Sequence, residues 1–185
     1  GSQVFMPVRV ALTGQMHGAV FLDADGRSIR PAILWCDQRT QAECDELTRR
    51  VGEESLRRIT ANPALTGFQA PKVLWLRKNE PDAYSRVRKV LLPKDYIRFR
   101  LTGEFFTDVS DASGTTLFDV PTRRWSSQIL RDLSLPEEWF PKSVESPTHA
   151  GTVSPSGERE TGIAAGTPIC GGGEDQAAGA VGAGI

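Results

Sequence analysis

The 185-residue sequence lacks three features that would assign it at once to a class of protein: a long hydrophobic run, an excess of one charge and paired cysteines. No apolar stretch approaches the roughly 18 residues that a membrane-spanning helix needs, so we expect no membrane partner. The 22 basic and 23 acidic side chains nearly cancel, and no run of lysine or arginine is present. Because nucleic acids are bound largely through positive charge, we expect no nucleic-acid partner.

Cysteine and histidine are both scarce. The three cysteines, Cys36, Cys44 and Cys170, form no CxxC pair, and the histidines are His17 and His149. A structural zinc site needs about four such ligands at short spacings, so the sequence predicts no metal site of this kind. An odd number of cysteines at unrelated spacings is typical of reduced thiols, and we expect a cytoplasmic protein.

Short β-branched runs alternate with segments of helical period. Residues 8–12 predict a strand, and two apolar runs on either side of the Asp-Gly turn at residues 23–27 predict a hairpin. Asp37 is the predicted cap of a helix that runs to residue 51. The repeated alternation of strands with helices predicts an α/β fold.

Proline and glycine mark the boundaries of further predicted helices. Pro81 and Pro93 are placed to open two of them, and Gly103 is placed to end the second. Lys72 lies on an amphipathic helix and is expected to be a solvated charge. Residues 104–120 are rich in polar, turn-forming side chains, and we predict a loop there rather than a regular element.

A glycine-rich turn near the end of the sequence is the first candidate for chemistry. A predicted strand leads into Gly171-Gly172-Gly173, which Glu174, Asp175, Gln176 and a small-residue helix follow. Glycines let a backbone approach a ligand closely, and the start of a helix offers amide groups. Asp175 is the candidate general base, and Gln176 is a candidate partner for a neighbouring hydroxyl. Taken alone, this segment is more typical of an N-cap aspartate in a glycine-rich α/β turn than of a catalytic site.

The second candidate is the polar triplet that follows the first predicted strand. Gln15, Met16 and His17 place an amide, an apolar side chain and an imidazole within three positions. His17 is able to exchange a hydrogen bond with a polyol hydroxyl, although a lone histidine is also common in a purely structural role. Ligands of α/β sheets bind at the carboxyl ends of strands, where the two candidate turns would meet if their strands were neighbours.

Taken together, the motifs resemble the FGGY family of carbohydrate kinases, and within it the xylulokinases. They occur in the family's order between residues 12 and 184. The matching segments are Gly14-Gln15-Met16-His17-Gly18, residues 31–35 with Asp37 and Arg39, residues 67–72 with Trp75, residues 91–96, 101–104, 107–108 and 110–115, Asp119-Val120, and residues 171–173 and 175–180.

This resemblance implies a ribonuclease-H-like (actin-like ATPase) fold and a two-domain kinase that phosphorylates D-xylulose at O5 with ATP and Mg²⁺. Residues 1–185 would be part of the N-terminal, sugar-binding domain. The family's N-terminal phosphate-binding hairpin and its C-terminal nucleotide domain are not in the sequence, so we expect this piece alone to be inactive.

The resemblance also implies roles for single residues. Asp175 would accept the proton of the sugar hydroxyl, Met16 and His17 would line the sugar site, and Gln176 would lie beside the base. The family usually runs three glycines directly into the aspartate, whereas Glu174 intervenes here. The Gln-Ala-Ala-Gly-Ala that follows sets the register and favours Asp175.

Two alternatives to the phosphorylation of D-xylulose stay open at this level. The substrate would be another ketose or polyol, such as ribulose, or the chain would be a non-catalytic sugar-binding module. Glycerol is the less expected substrate, because a glycerol kinase would carry an Arg-Glu pair where Met16 and His17 stand. A homodimer is a further option.

Overall fold

The computed structural model describes residues 8–185 as a mixture of helices and short strands. The helices are α1 (Gln41–Val51), α2 (Glu53–Thr60), α3 (Gln69–Asn79), α4 (Pro81–Arg86), α5 (Pro93–Thr102), α6 (Val109–Ser113), α7 (Ser127–Leu133), α8 (Pro155–Thr161) and α9 (Asp175–Gly182). The strands are β1 (Thr13–Gly14), β2 (Val20–Leu22), β3 (Lys89–Leu91), β4 (Phe106–Asp108), β5 (Phe118–Asp119), β6 (Arg124–Trp125), β7 (Lys142–Val144), β8 (His149–Thr152), β9 (Pro168–Cys170) and β10 (Gly173–Glu174). The predicted α/β composition is therefore confirmed.

Parallel pairing brings the two ends of the described chain together. Thr13 of β1 lies opposite Gly173 of β10, and a parallel bridge joins Val10 to Ile169, which precede them in the sequence. The predicted strand at residues 8–12 is thus a single bridge, and the ladder proper begins at Thr13. Because both strands run in the same direction, the turn after β1 and the helix after β10 begin at the same edge.

The predicted hairpin is confirmed. Antiparallel bridges join Ala19 to Ile33 and Leu22 to Ser28, and Gly26 in the turn has a φ of 73°, a left-handed conformation that glycine adopts without strain. Strand β2 also pairs antiparallel with β3, with Val20 opposite Leu91. This pairing holds the chain firmly just after the turn that carries Met16 and His17.

The prediction that Asp37 caps the first helix is wrong. Helix α1 begins only at Gln41, and the preceding Thr40 makes no side-chain cap. The Asp37 carboxylate instead pairs with Arg39, with the two groups 2.8 Å apart. A guanidinium two residues away competes for the carboxylate, because it forms a charge-assisted pair that backbone amides match poorly.

The boundaries set by proline and glycine are confirmed, whereas the predicted loop at residues 104–120 is wrong, because β4, α6 and β5 all lie within it. Helices α4 and α5 open at Pro81 and Pro93, and Gly103 ends α5 with a φ of 78°. Residues 109–113, however, form the one-and-a-half-turn helix α6. It forms because the Asp108 carboxylate accepts from the amides of Ser110 (3.0 Å) and Asp111 (3.1 Å).

The main hydrophobic core lies between β2, β3 and helices α1, α2, α3 and α7. Its fully buried members include Phe21, Leu47, Leu56 and Leu133. Burying each such side chain contributes about 1.5 to 3 kcal/mol, so this core anchors β2 against the helices. Of the helices between residues 8 and 185, none is long and apolar enough to cross a bilayer.

Candidate functional site

A cleft of about 190 Å³ lies at the edge where β1 and β10 end. Met16 and His17 line it from the turn after β1, and Glu174 lines it from β10. Its other walls come from the loop before α3, the loop after α2 and helix α6: Asn62, Phe68, Ser110, Asp111, Ser113 and Gly114. The structure therefore brings the two turns singled out in the sequence to one place.

Local packing fixes the His17 ring in this cleft. His17 has a φ of 65°, in the left-handed region, and its ring meets Phe68 edge-on with the ring centroids 4.4 Å apart. On the other side of the ring lies Gly114, where a Cβ would overlap His17 Cε1 and Nδ1. The imidazole thus fits only because residue 114 has no side chain.

Burial and a neighbouring lysine keep His17 neutral. Burial, followed by the positive charge of Lys72, lowers the pKa of His17 from 6.5 to about 4. At neutral pH the ring therefore has one donor and one acceptor nitrogen. Its Nδ1 is buried and finds no hydrogen-bond partner among residues 8–185. A neutral ring with an unsatisfied nitrogen suits a neutral hydroxyl ligand better than an anion.

Lys72 is fully buried, so the prediction of a solvated charge is wrong. Its ammonium group donates to the carbonyl of Phe68 at 2.8 Å, to that of His17 at 3.3 Å and to that of Gly67. Burial lowers the pKa of Lys72 to about 8. Because one ammonium joins the turn after β1 to the start of α3, Lys72 holds His17 and Phe68 in register.

Glu174 and Asp175 have different environments, although they are neighbours in the sequence. The Glu174 carboxylate accepts from the amides of Gln176 (2.8 Å) and Ala177 (2.6 Å) and so caps helix α9. Asp175 is the first residue of α9 and is exposed, and its negative charge lies near enough to raise the pKa of His17 slightly against the larger lowering effects. Gln176 is exposed on the same turn and lies outside the lining of the cleft.

A fully buried cluster of charges lies behind the cleft. Lys94 contacts Asp95 (2.6 Å), Asp108 (2.6 Å) and Asp111 (3.2 Å), and Arg98 contacts Asp95 (2.5 Å). Burial raises the pKa of Asp111 to about 8 despite Lys94, with repulsion from Asp95 and Asp108 adding to the effect. With Asp111 protonated at neutral pH, two cations face two carboxylates and the cluster is balanced.

The described residues do not form a metal site. Between residues 8 and 185, no group of three or more histidine, cysteine, aspartate or glutamate side chains is placed to hold an ion. The carboxylate nearest the cleft mouth, that of Glu174, is occupied by helix amides. These residues therefore do not fit a resident Mg²⁺ by themselves.

Comparison with known proteins decides the family. The profile of the FGGY family of carbohydrate kinases, N-terminal domain, matches residues 6–182. The chain belongs to this family. Xylulose kinase from Escherichia coli K12 is 46% identical over 176 residues, which cover 95% of this chain and 36% of that protein. Xylulose kinase from Bacillus subtilis is 42% identical, with 95% and 35% covered. This FGGY chain thus spans about a third of the length of the curated relatives it matches.

Solved structures confirm the actin-like ATPase fold class for this FGGY chain. Xylulose kinase from Rhodospirillum rubrum superposes with a TM-score of 0.93 at 28% identity, covering 98% of this chain and 37% of that one. Glycerol kinase from Plasmodium falciparum superposes with a TM-score of 0.80 at 24% identity, covering 92% and 34%, which shows the fold alone.

Sequence reasoning missed the contribution of helix α6 to this cleft. Ser110, Asp111, Ser113 and Gly114 all line the cleft. The signal was present in the Asp-x-Ser-Asp pattern at residues 108–111, in which the first aspartate caps a helix. The pattern did not show that this short helix would pack beside β10, because that contact is not local.

Proposed function

We propose that the protein to which this chain belongs phosphorylates D-xylulose to D-xylulose 5-phosphate with ATP, and that this chain supplies the sugar-binding part of the N-terminal domain. The proposal rests on one observation: relatives named xylulose kinase match 95% of the chain at up to 46% identity. The cleft of about 190 Å³, with the neutral His17 ring and the Glu174 side chain in its lining, supports a sugar ligand rather than an anionic one.

We assign the sugar contacts to the two turns that meet at the cleft. The neutral His17 ring lines the cleft and would exchange a hydrogen bond with one sugar hydroxyl, and Met16 would cover the apolar face of the carbon chain. Gln176 offers one donor and one acceptor from the first turn of α9. These contacts orient a polyol without adding charge, and orientation supplies much of the rate enhancement in phosphoryl transfer.

Asp175 is the proposed proton acceptor. As the attacking hydroxyl oxygen forms its bond to the γ-phosphorus of ATP, the bond between that phosphorus and ADP breaks and ADP leaves. The O–H bond breaks in the same step, and the proton passes to the Asp175 carboxylate. Glu174 is the less suitable base, because both of its oxygens already accept helix amides. Asp175 is not among the residues that line the cleft, but its side chain is exposed on the first turn of α9, directly after the cleft-lining Glu174, and this position supports the proposal.

ATP supplies the phosphoryl group, and Mg²⁺ would neutralise its charge. No cluster of metal ligands exists between residues 8 and 185, so we assign neither the ion nor the nucleotide to a residue there. A cytoplasmic location is also proposed, because Cys36, Cys44 and Cys170 are all free thiols. A homodimer stays an option that sedimentation of the full-length protein would decide.

The test is a kinase assay of the full-length protein and its D175N variant on D-xylulose, D-ribulose, L-ribulose and glycerol. We expect D-xylulose to have the highest kcat/KM, and D175N to lower kcat by about 10² to 10⁴-fold, the usual contribution of a positioned base. D82N is the matched control, because Asp82 is also an exposed aspartate in the first turn of a helix.

Two outcomes would contradict this assignment. Phosphorylation of none of the four compounds would overturn the kinase function. An active enzyme whose D175N variant retains wild-type kcat would leave the kinase function standing and remove Asp175 from the role of base.

A further inference from the structure

The hydroxyl of Ser110 connects the buried charge cluster to the turn that carries Asp175. Ser110 Oγ lies 2.5 Å from Asp108 Oδ1 and 3.3 Å from the backbone nitrogen of Glu174. Asp108 belongs to the end of β4, whereas Glu174 belongs to β10 and immediately precedes Asp175. A single side chain thus bridges two segments that are far apart in the sequence.

Chemistry alone fixes the direction of both hydrogen bonds. An ionised carboxylate only accepts, so the Ser110 hydroxyl must donate its hydrogen to Asp108. The backbone N–H of Glu174 only donates, so the Ser110 oxygen must accept from it with a lone pair. The Ser110 hydroxyl therefore donates its one hydrogen to Asp108 and accepts the Glu174 N–H with one of its lone pairs.

The Asp108 end of this chain of contacts is rigidly held. Its Oδ1 also accepts from the amides of Ser110 and Asp111, and its Oδ2 lies 2.6 Å from Lys94 Nζ. The side chains of Asp108 and Lys94 are fully buried, and Lys94 is also bound to Asp95. Burial opposes the charge on Lys94, but the aspartates around it, Asp95 above all, outweigh that effect and raise its pKa. The ammonium therefore stays charged and holds Asp108 in place.

The Glu174 end of this chain of contacts determines the backbone position of Asp175, the proposed base. The Ser110 oxygen holds the Glu174 amide, and the Glu174 carboxylate caps the first turn of α9 through Gln176 and Ala177. Asp175 lies between these two anchors. Its backbone position therefore depends on contacts before and after it in the sequence, although its own side chain is exposed.

We propose that Ser110 is a positioning residue for the catalytic base, acting through the Glu174 amide to place Asp175 against the sugar hydroxyl. This inference rests on the proposed function of Asp175. Ser110 also lines the cleft beside Asp111, but the proposal needs no contact between Ser110 and substrate. Loss of the Ser110 hydroxyl should therefore affect the chemical step more than it affects sugar binding.

The first test compares S110A, S110T and S110C in steady-state assays of the full-length kinase with D-xylulose. We expect S110A to lower kcat by about 5- to 50-fold with KM within twofold of wild type, because the base is misplaced while the sugar contacts remain. S110T keeps the hydroxyl and should recover at least half of the wild-type kcat. S110C preserves the size but is a weak hydrogen-bonding group, so it should be slow like S110A.

The matched control is S85A. The Ser85 hydroxyl donates at 2.8 Å to the carbonyl of Asp82, within its own helix and far from the cleft-lining residues. S85A should therefore keep both kcat and KM. A loss in S85A equal to that in S110A would show that removing any helical serine hydroxyl is enough, and would overturn the proposal.

A second test needs no activity. Hydrogen exchange at the Glu174 amide should be at least tenfold faster in S110A and S110C than in wild type, whereas S110T should be within about threefold. Unchanged exchange in S110A, an S110A kcat within twofold of wild type, or an S110T as slow as S110A would each overturn the role of Ser110. An active D175N would instead overturn the base assignment, and the exchange result would still decide whether Ser110 holds Glu174.

Discussion

At the scale of single residues, the cleft depends on one glycine that has an ordinary backbone conformation. Gly114 has a φ of −84°, which any residue adopts, so its importance does not come from backbone freedom. It comes from the His17 ring, which occupies the space that a Cβ at residue 114 would take. The left-handed φ of His17 gives the imidazole little freedom to move away.

We expect G114A to displace the His17 ring and to raise the KM for D-xylulose by about tenfold, the loss of one hydrogen bond to the sugar. Overpacking of this kind costs about 1 to 3 kcal/mol of unfolding free energy. Sugar titrations and urea denaturation measure the two effects. Gly179 in α9 has nothing within 4 Å of its Cβ position, so G179A should be neutral or slightly stabilising.

The double variant H17A/G114A isolates the clash. Once the ring is removed, alanine at residue 114 should cost nothing further, so the double variant should be as stable as H17A alone. If the losses of unfolding free energy in H17A and G114A were additive in the double variant, the effect of G114A would have a cause other than the clash with the ring.

At the scale of elements, buried charges fasten α5, β4 and α6 to one another behind the cleft. Lys94 and Arg98 come from α5, Asp108 from the end of β4, and Asp111 from α6. Removing one partner of a buried ion pair leaves an uncompensated charge, which costs about 3 to 5 kcal/mol. The cost depends on whether the carboxyl that is removed is ionised, and burial raises the pKa of Asp111 to about 8, which leaves this carboxyl protonated at pH 7.

We expect D108N to be far more destabilising than D111N. D108N removes an ionised partner of Lys94 and should lower the unfolding free energy by about 3 kcal/mol or more. D111N replaces a neutral acid by a neutral amide of the same shape and should cost about 1 kcal/mol or less. Urea denaturation at pH 7 measures both, and equal losses would show that Asp111 is ionised.

The pH dependence of D111N provides the second half of this test. The folded protein holds the Asp111 proton up to about pH 8, whereas the unfolded chain releases it near the ordinary pKa of 3.8. Between these values the unfolded chain binds fewer protons, so this group makes wild-type stability fall as the pH rises from about 4 to about 8. D111N lacks the group, and its stability relative to wild type should rise over that range.

The sequence predicted those elements whose ends are coded locally. Pro81, Pro93 and Gly103 were sufficient because each restricts the backbone at its own position. Asp37 was misplaced because a nearby arginine competes for its carboxylate. Lys72 was misplaced because the carbonyl groups of the loop just before α3 fold back onto its ammonium, together with that of His17. Both errors come from contacts with partners that periodicity and composition do not specify.

At the scale of the whole molecule, the site exists because β1 and β10 pair in parallel. This pairing brings the Met16–His17 turn beside Glu174 and Asp175, which come from the other end of the described chain. The sequence singled out both turns, but it did not show that their strands are neighbours. That relation depends on long-range packing, in which Gly172 takes a central part.

Gly172 is needed for two separable reasons. Its φ of 75° is left-handed, and a Cβ there would overlap the carbonyl oxygen of Leu12, the acceptor of the Gly173 amide. Gly166 has a similar φ of 86° but nothing within 4 Å of its Cβ position. Both glycines therefore need a left-handed backbone conformation. Only at Gly172 do two strands also come so close that a Cβ would not fit.

We expect G166A to lower the unfolding free energy by about 1 to 3 kcal/mol through backbone strain alone, with sugar affinity unchanged. G172A should lower the unfolding free energy by about 2 kcal/mol more, because the Leu12 carbonyl belongs to the backbone and cannot move aside as a flexible side chain would. It should also lose at least tenfold in affinity for D-xylulose, since separating β1 from β10 moves His17 away from Asp175. Calorimetric titration and urea denaturation decide the matter: a G172A that binds sugar as well as G166A would show that the two turns hold their places without this strand pairing.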